Sequence, residues 1–209
     1  MNTYSVNFDI IYRRTTKLLE VIRVKFIHTA DWHIGRKLQG TDLLLDQQFV
    51  LENLIADIKK DNIDFIIIAG DLYDRSVPSK EATILLQELL VELNIENNIP
   101  IFAISGNHDS RERLAVGEAW FSKHDFYLHT ELKQAFNKIK YKDADIYLLP
   151  YFEPYEARAY FDDDSLTTHN SATKRVIDEI YKNLDETRIN ILVAHTFVAG
   201  GLETDSERE

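Results

Sequence analysis

The sequence predicts an α/β fold with a largely parallel sheet, and two observations support this. Short apolar runs rich in β-branched residues alternate with longer segments whose apolar residues recur every three or four positions. The apolar runs are apolar throughout, which is typical of parallel strands buried on both faces. With 209 residues and 44% hydrophobic content, the chain is long enough for one sizeable core.

Five apolar runs are the predicted strands, and three amphipathic segments are the predicted helices. The first helix spans residues 46–60, with Val50, Leu54 and Ile58 on one face and Leu51 and Ile55 beside it. The second helix follows Pro78, with Ser79 as its N-cap, and the third runs from about residue 171 to 184. The strands are predicted at residues 24–28, 64–70, 99–106, 145–150 and 189–195.

Residues 1–22 lie outside this alternation and are predicted to be an N-terminal extension, with a single domain over residues 23–209. The chain has no cysteine, which excludes disulfides, thiolate metal sites and cysteine nucleophiles. No stretch approaches the ~20 apolar residues that a membrane span needs, and none has the features of a signal peptide. We therefore expect a cytoplasmic protein that does not associate with membranes.

Polar residues follow four of the predicted strands, at the point where each strand ends. The first strand is followed by TADWH, the second by GDLYD and the third by GNHD, and the last ends at His195. The carboxyl ends of parallel strands meet at one rim of the sheet, where ligands bind. Asp31 and His33 would point the same way in an extended segment. Asp71 and Asn107 each follow a glycine, which permits a tight turn.

This combination of donors predicts a metal site. Carboxylate, amide and imidazole ligands without sulfur suit Mn²⁺, Mg²⁺, Fe or Zn; Mn²⁺ fits best and Mg²⁺ is the main alternative. Five ligands are more than one ion takes while leaving room for water and substrate, whereas two ions bridged by Asp71 accommodate them. A lone histidine after a strand is more often a core residue, but the ordered set favours the metal site. Its predicted ligands are Asp31, His33, Asp71, Asn107 and His195.

The same residues carry a family resemblance. DWH, GDLYD, GNHD and the later His195 resemble the calcineurin-like metallophosphoesterase superfamily. The longer stretches HTADWHIGRKLQG, IIIAGDLYDRSVPSKEA and ISGNHDSRERL, with the closing VAGGLETDSERE, are similar to the SbcD family of bacterial nuclease subunits, from about Arg23 to the end. The resemblance implies a layered β-sheet sandwich flanked by helices.

The resemblance also implies a role for each matching residue. Asp31 and His33 would hold one ion and Asn107 and His195 the other, with Asp71 shared by both. His108 would face the substrate phosphate, where it could protonate the leaving oxygen or stabilise the charge of the transition state.

Two further aspartates of the motifs are not predicted ligands. Asp109 would orient His108, as an outer carboxylate commonly does. For Asp74 the sequence leaves two interpretations open, a residue of the site or a side chain that stabilises the turn.

The implied activity is metal-dependent exonuclease and endonuclease cleavage of DNA, in double-strand-break and hairpin processing with an SbcC-like ATPase. Members of the family form homodimers. Arg36, Lys37 and Arg111 would hold the DNA backbone. A net charge of −11 argues against a broad basic face, so these residues are equally well explained as solvated surface charges.

The family pattern continues into a Gly-His-x-His segment that supplies one more histidine to each ion, and the sequence given ends before it. We therefore expect a fold truncated at its C-terminus that is weakly active or inactive by itself. Two other functions remain open. One is a phosphatase or cyclic phosphodiesterase acting on small substrates, which suits the acidic net charge; the other is a non-catalytic interaction fragment.

Overall fold

The computed structural model describes residues 24–196, and two separate β-sheets form the centre of the fold. The first sheet is parallel throughout, and its four strands are, in spatial order, β1 (Phe26–Thr29), β4 (Phe65–Ala69), β5 (Ile101–Ile104) and β6 (Phe126–His129). A small hairpin of β2 (Lys37–Leu38) and β3 (Thr41–Asp42) lies between the first two of them in sequence.

The second sheet has three strands and a mixed arrangement. They are β7 (Ile139–Tyr141), β8 (Ala144–Leu149) and β9 (Ile189–Ala194). β8 lies in the middle, antiparallel to β7 and parallel to β9.

Six α-helices and three segments of π- or 3₁₀-helix complete the described region. The α-helices are α1 (Leu44–Lys60), α2 (Lys80–Leu90), α3 (Arg111–Leu114), α4 (Glu118–Phe121), α5 (Pro154–Phe161) and α6 (His169–Tyr181). A π-helical segment spans Val91–Glu96, and 3₁₀ turns span Ser122–His124 and Leu132–Phe136. Within residues 24–196, no helix has both the length and the apolar character that crossing a bilayer requires.

The two sheets pack face to face, and helices cover their outer faces. Between the sheets, Phe65 and Phe102 of the first pack with Ile146, Leu148 and Val193 of the second. α1 and α2 bury their apolar faces against the other side of the first sheet. α5 and α6 do the same on the second sheet. The predicted α/β fold, a layered β-sheet sandwich flanked by helices, is therefore confirmed.

Each predicted strand and helix is present within a few residues of its expected position. The Ser79 hydroxyl accepts a hydrogen bond from the Ala82 N–H at 3.1 Å, as expected of the N-cap of α2. In α1 the face that packs on the sheet carries Leu51, Ile55 and Ile58. Val50, which the pattern predicts on the same face as Leu54 and Ile58, is 53% exposed and does not belong to the packed face.

Some elements were not predicted from the sequence, and two segments named there lie outside the described residues. β6, β7, the hairpin and α5 were not predicted; β2, β3 and β7 have only two or three residues, too few for a periodic pattern. The predicted extension over residues 1–22 lies outside the described residues, as does the motif at residues 198–209.

Candidate metal centre

Neighbouring strands bring the predicted site loops together. β1 pairs with β4 and β4 with β5, all parallel, so their carboxyl ends lie side by side. The loop after β1 continues this pairing: the Asp31 N–H donates to the Gly70 carbonyl at 3.1 Å and the His33 N–H donates to the Asp71 carbonyl at 2.9 Å. These backbone bonds fix the first site loop against the second.

Three of the candidate ligands have a left-handed backbone. Asp31, His33 and Asp71 have φ values of +57°, +42° and +51°. Such values cost a non-glycine residue about 1–3 kcal/mol, and they persist where the surrounding structure holds them. The expectation that Asp31 and His33 share an extended segment is therefore wrong, although their side chains do meet.

Two glycines allow the loops to approach closely, for different reasons. Gly70 has φ +91°, and a Cβ there would lie 2.5 Å from Nδ1 of His195. The φ angle of Gly106 is not positive, but a Cβ there would overlap the Asp71 carboxylate and its backbone nitrogen. The predicted tight turn is therefore present at Gly70. At Gly106, glycine is required because the Asp71 carboxylate packs against its Cα.

The first group of donors consists of Asp31, His33 and Asp71. Nε2 of His33 lies 3.7 Å from Oδ1 of Asp31 and 3.6 Å from Oδ2 of Asp71. One ligand atom from each residue lies within 4.8 Å of those of the other two. The side chain of Asp71 is almost completely buried, whereas that of Asp31 is exposed.

The second group combines Asp71, Asn107 and His195. Nε2 of His195 lies 3.5 Å from Oδ2 of Asp71 and 3.1 Å from Oδ1 of Asn107. Nδ1 of His195 lies 2.8 Å from the Ala69 carbonyl, a contact that favours a proton on Nδ1. In the neutral ring Nε2 is then an acceptor facing two oxygen acceptors, so the group needs a proton or another cation.

The pKa values of His195 and Asp71 indicate that a proton can supply this positive charge. The Asp71 carboxylate raises the pKa of His195 to about 9, although burial opposes the shift. Burial alone would raise the pKa of Asp71, but hydrogen bonds from His195 and from the His108 backbone N–H outweigh it and the pKa is lowered. A protonated His195 would satisfy both facing oxygens of the second group, and a metal cation at the same place would compete with that proton.

The residues present fit a pair of divalent cations. Donors that are adjacent around an octahedral ion at about 2.1 Å lie about 3 Å apart. The separations of 3.1–3.7 Å in the two groups are close to this value. The same oxygen, Oδ2 of Asp71, faces both histidines, which is the position expected of a bridging carboxylate. The structure brings the five predicted ligands together; that they bind metal stays a prediction.

His108 and Asp74 lie beside the first group. Nδ1 of His108 lies 2.9 Å from the Asp74 backbone carbonyl, and the rings of His108 and His33 pack edge to face with centroids 4.7 Å apart. The Asp74 carboxylate lies 3.7 Å from Nδ1 of His33. Asp74 therefore contacts both rings, once through its backbone and once through its side chain.

Asp109 has a different role from the predicted one. Its buried carboxylate accepts backbone N–H bonds from Leu72 at 3.2 Å, Tyr73 at 3.0 Å and Gly106 at 2.9 Å. Burial raises the pKa of Asp109, and these three bonds oppose the rise. The predicted contact with His108 is corrected: the carboxylate satisfies buried N–H groups of two loops, and the backbone of Asp74 holds the His108 ring.

The prediction that Arg111 holds the DNA backbone is also corrected. Its guanidinium donates to both carboxylate oxygens of Glu156 and, at 2.9 Å, to the Tyr151 carbonyl. Both terminal nitrogens are therefore engaged within the protein rather than available to DNA. Arg36 and Lys37 are exposed, and Lys37 lies 3.8 Å from Asp42, so DNA contact by these two residues stays a prediction.

Gln47 supports the site and was missed in the sequence. From the first turn of α1, its amide nitrogen donates to the carbonyls of Trp32 at 3.1 Å and His33 at 2.7 Å, and its oxygen accepts from Gly35 at 2.9 Å. Trp32 itself is buried, and its indole N–H donates to Thr29 at 2.9 Å. A polar residue in the first turn of a helix gives no sign in the sequence that it braces a distant loop.

A scan against protein-family models matches residues 24–208 to the calcineurin-like phosphoesterase family. A structural search also returns the 4-hydroxy-tetrahydrodipicolinate synthase from Methylacidiphilum fumariolicum SolV, at 18% identity and a TM-score of 0.34. That match covers 81% of this chain and 44% of the synthase, and a TM-score this low carries no argument about fold or activity. The family match spans most of the chain and every candidate ligand: the chain belongs to the calcineurin-like phosphoesterases, a family of metal-dependent phosphoester hydrolases.

Proposed function

We propose that this chain carries the nuclease domain of an SbcD-type subunit, which hydrolyses phosphodiester bonds in DNA. The observation that carries the hydrolytic part is the position of Asp71, whose Oδ2 faces His33 and His195 at 3.6 and 3.5 Å. The family match supports phosphoester hydrolysis in general. The narrower proposal of a DNA substrate rests on the long sequence stretches similar to SbcD around the three site loops.

Two divalent cations, Mn²⁺ in our proposal, would be held by the two donor groups. Asp31, His33 and Asp71 would hold one, and Asp71, Asn107 and His195 the other. When bound, such ions lower the pKa of water and neutralise the oxygens of a phosphate group. Protonation of His195 competes with this role, so the chain itself sets a pH dependence for occupancy.

The residues beside the ligands would handle the substrate. His108 contacts the Asp74 carbonyl through Nδ1, which leaves Nε2 as the ring nitrogen available to a phosphate or leaving-group oxygen. The His108 backbone N–H donates to Oδ1 of Asp71 at 2.9 Å and so ties the position of this ring to the shared carboxylate. With its oxygen directed to His195, Asn107 retains amide hydrogens that could donate to a phosphate oxygen.

The partners in this proposal are DNA, an SbcC-like ATPase and a second copy of the chain, in the cytoplasm. Arg36 and Lys37 are the exposed cations closest in sequence to the first site loop and would contact the DNA backbone. The exposed side chains of Val116 and Trp120, at 72% and 75%, support an interface with another protein surface. The dimer is tested by measuring the mass in solution of the wild-type chain and of the Trp120→Glu variant.

Substrate selectivity tests the proposed activity. Purified chain with Mn²⁺ is given linear duplex DNA, a chromogenic phosphodiester and a chromogenic phosphomonoester, and Asp71→Asn serves as the inactive control. We expect turnover by this chain to be weak, with DNA and the diester cleaved in preference to the monoester, and the control to cleave none of them. Preferential hydrolysis of the monoester would overturn the nuclease assignment.

A phosphatase or cyclic phosphodiesterase acting on small substrates is the second candidate. The engagement of Arg111 with Glu156 favours it, because this removes one predicted DNA contact from the rim. The same three substrates separate the two functions, with a cyclic dinucleotide added. Absence of Mn²⁺ binding in calorimetry would instead favour a non-catalytic interaction fragment.

A further inference from the structure

The carboxylate of Asp74 has no assigned role, and it lies beside a nitrogen that lacks a partner. Nδ1 of His33 is buried and has no hydrogen-bond partner among the described residues. Oδ1 of Asp74 lies 3.7 Å away, and the Asp74 side chain is only 18% exposed. This separation is longer than a hydrogen bond but within reach of strong electrostatic attraction.

These atoms belong to a further cluster of three possible ligands, formed by His33, Asp74 and His108. A separate cation there would have to use Nδ1 of His33, while Nε2 faces Asp31 and Asp71. A neutral imidazole has one lone pair on one nitrogen and a hydrogen on the other. The His33 ring therefore cannot bind one cation in this cluster and another beside Asp31 and Asp71. Nδ1 is better assigned a hydrogen than a metal.

We infer that Asp74 is a positioning residue for the metal centre. Its carboxylate favours the His33 tautomer with hydrogen on Nδ1, so the lone pair on Nε2 faces Asp31 and Asp71. A carboxylate behind a metal-binding histidine fixes the ring orientation and makes the ligand more basic. This inference rests on the proposed metal centre but not on the identity of the substrate.

Asp74 is itself well held for this task. Its backbone N–H donates to the Ile34 carbonyl at 3.2 Å, and its carbonyl contacts Nδ1 of His108 at 2.9 Å. Nε of Arg75 lies 3.8 Å from Oδ2, the oxygen that does not face His33. Truncating the side chain therefore removes the contact with His33 while the backbone contact with His108 remains.

The test compares Asp74→Ala, Asp74→Asn and Asp74→Glu with the wild-type chain. Mn²⁺ affinity is measured by calorimetry, and the histidine tautomers by ¹⁵N–¹H NMR of the metal-free protein. We expect Asp74→Ala to weaken Mn²⁺ binding by about 10–100-fold and to remove the preference of His33 for hydrogen on Nδ1. His108 should keep its hydrogen on Nδ1, because that nitrogen contacts the Asp74 backbone carbonyl, which the substitutions leave in place. Asp74→Asn should lie between the wild type and Asp74→Ala, and Asp74→Glu should restore part of the affinity.

Asp178→Ala is the matched control, because Asp178 is an exposed aspartate on α6 that pairs with Lys174 and lies in a different layer. It removes the same charge and should leave Mn²⁺ affinity and the His33 tautomer unchanged. Wild-type affinity and an unchanged His33 tautomer in folded Asp74→Ala or Asp74→Asn would overturn the inference. Failure of the wild-type chain to bind Mn²⁺ would instead overturn the proposed metal centre, since the tautomer measurement needs no metal.

Discussion

The two ends of the sheets use the same residue type in opposite ways. At the amino end, Asp64 directly precedes β4 and pairs with Lys142. Asp145 lies at the start of β8, with its side chain fully buried, 2.6 Å from Lys138 and 2.5 Å from Arg188. Each of these carboxylates has a cationic side chain of its own.

At the carboxyl end, Asp31 and Asp71 have no lysine or arginine partner within residues 24–196. Their nearest ionisable neighbours are His33 and His195, on a backbone with left-handed residues. The carboxylates at the amino end are paired with lysine and arginine, whereas those at the carboxyl end face histidines, which is consistent with the proposed metal centre. Substitutions at the two ends should therefore separate stability from function.

The largest expected effect is that of Asp71→Asn. Removing the shared charge should lower Mn²⁺-dependent hydrolysis of a chromogenic phosphodiester by about 100-fold or more, because both donor groups lose the same oxygen. In thermal unfolding, Mn²⁺ at 100 times its Kd should raise the free energy of unfolding of the wild type by about 2.7 kcal/mol. The variant should show no such increase. If Mn²⁺ stabilises both proteins equally, Asp71 is not a metal ligand.

Gly106→Ala should be the next most severe change. The new methyl group would overlap the Asp71 carboxylate, so we expect a loss of about 3 kcal/mol in the free energy of unfolding together with weakened Mn²⁺ binding. Gly40→Ala is the control: Gly40 has φ +84° but open space around its Cβ position, so only about 1 kcal/mol should be lost. Urea unfolding and Mn²⁺ titration measure both variants, and equal losses would refute the packing argument.

Asp145→Asn should reduce stability without affecting metal binding. Burial alone would raise the pKa of Asp145, but Lys138 and Arg188 outweigh it and lower the pKa below its usual 3.8. The ionised carboxylate therefore stabilises the fold above about pH 4, and this contribution disappears as the pH falls through the lowered pKa. We expect a deficit of about 2–3 kcal/mol at pH 7 that shrinks towards pH 3. Urea unfolding at pH 7, 4 and 3 measures this deficit. A deficit that stays constant would contradict the role of the ionised carboxylate.

Lys142→Ala should have the smallest effect. Lys142 is about half exposed, so its pair with Asp64 is screened by water and its loss should cost at most about 1 kcal/mol. Thermal unfolding in low and high salt measures the contribution, which salt should reduce. A larger, salt-independent loss would mean that the amino end depends on packing rather than on charge.

Much of the architecture could be predicted from local patterns. The buried strands β4 and β5 are apolar throughout, β8 is apolar apart from Asp145 and the Tyr147 hydroxyl, and Ser79 marks the start of α2, so the apolar pattern and the helix cap were sufficient to predict these elements. That polar residues at strand ends would meet followed from parallel topology. The division into two sheets was not readable from periodicity, because the strands of both sheets look alike; it came from the family resemblance.

The details of the centre depended on contacts between distant residues. The sequence predicts that Asp109, the last residue of GNHD, orients His108 and that Arg111, two residues later, contacts DNA. The structure instead directs Asp109 to backbone N–H groups and Arg111 to Glu156, 45 residues away. Gln47 was missed because nothing in its own segment reveals its contact with the His33 carbonyl. Partners this far apart in sequence are set by tertiary packing.

The carboxylate of Asp109 joins the loops after β4 and β5 through the N–H groups of Leu72, Tyr73 and Gly106. Since one side chain anchors both, neither loop can open without releasing bonds held by the other. Their amide hydrogens should therefore exchange with solvent deuterium in a single concerted step. We therefore expect the loops that carry Asp71 and Asn107 to move together rather than independently.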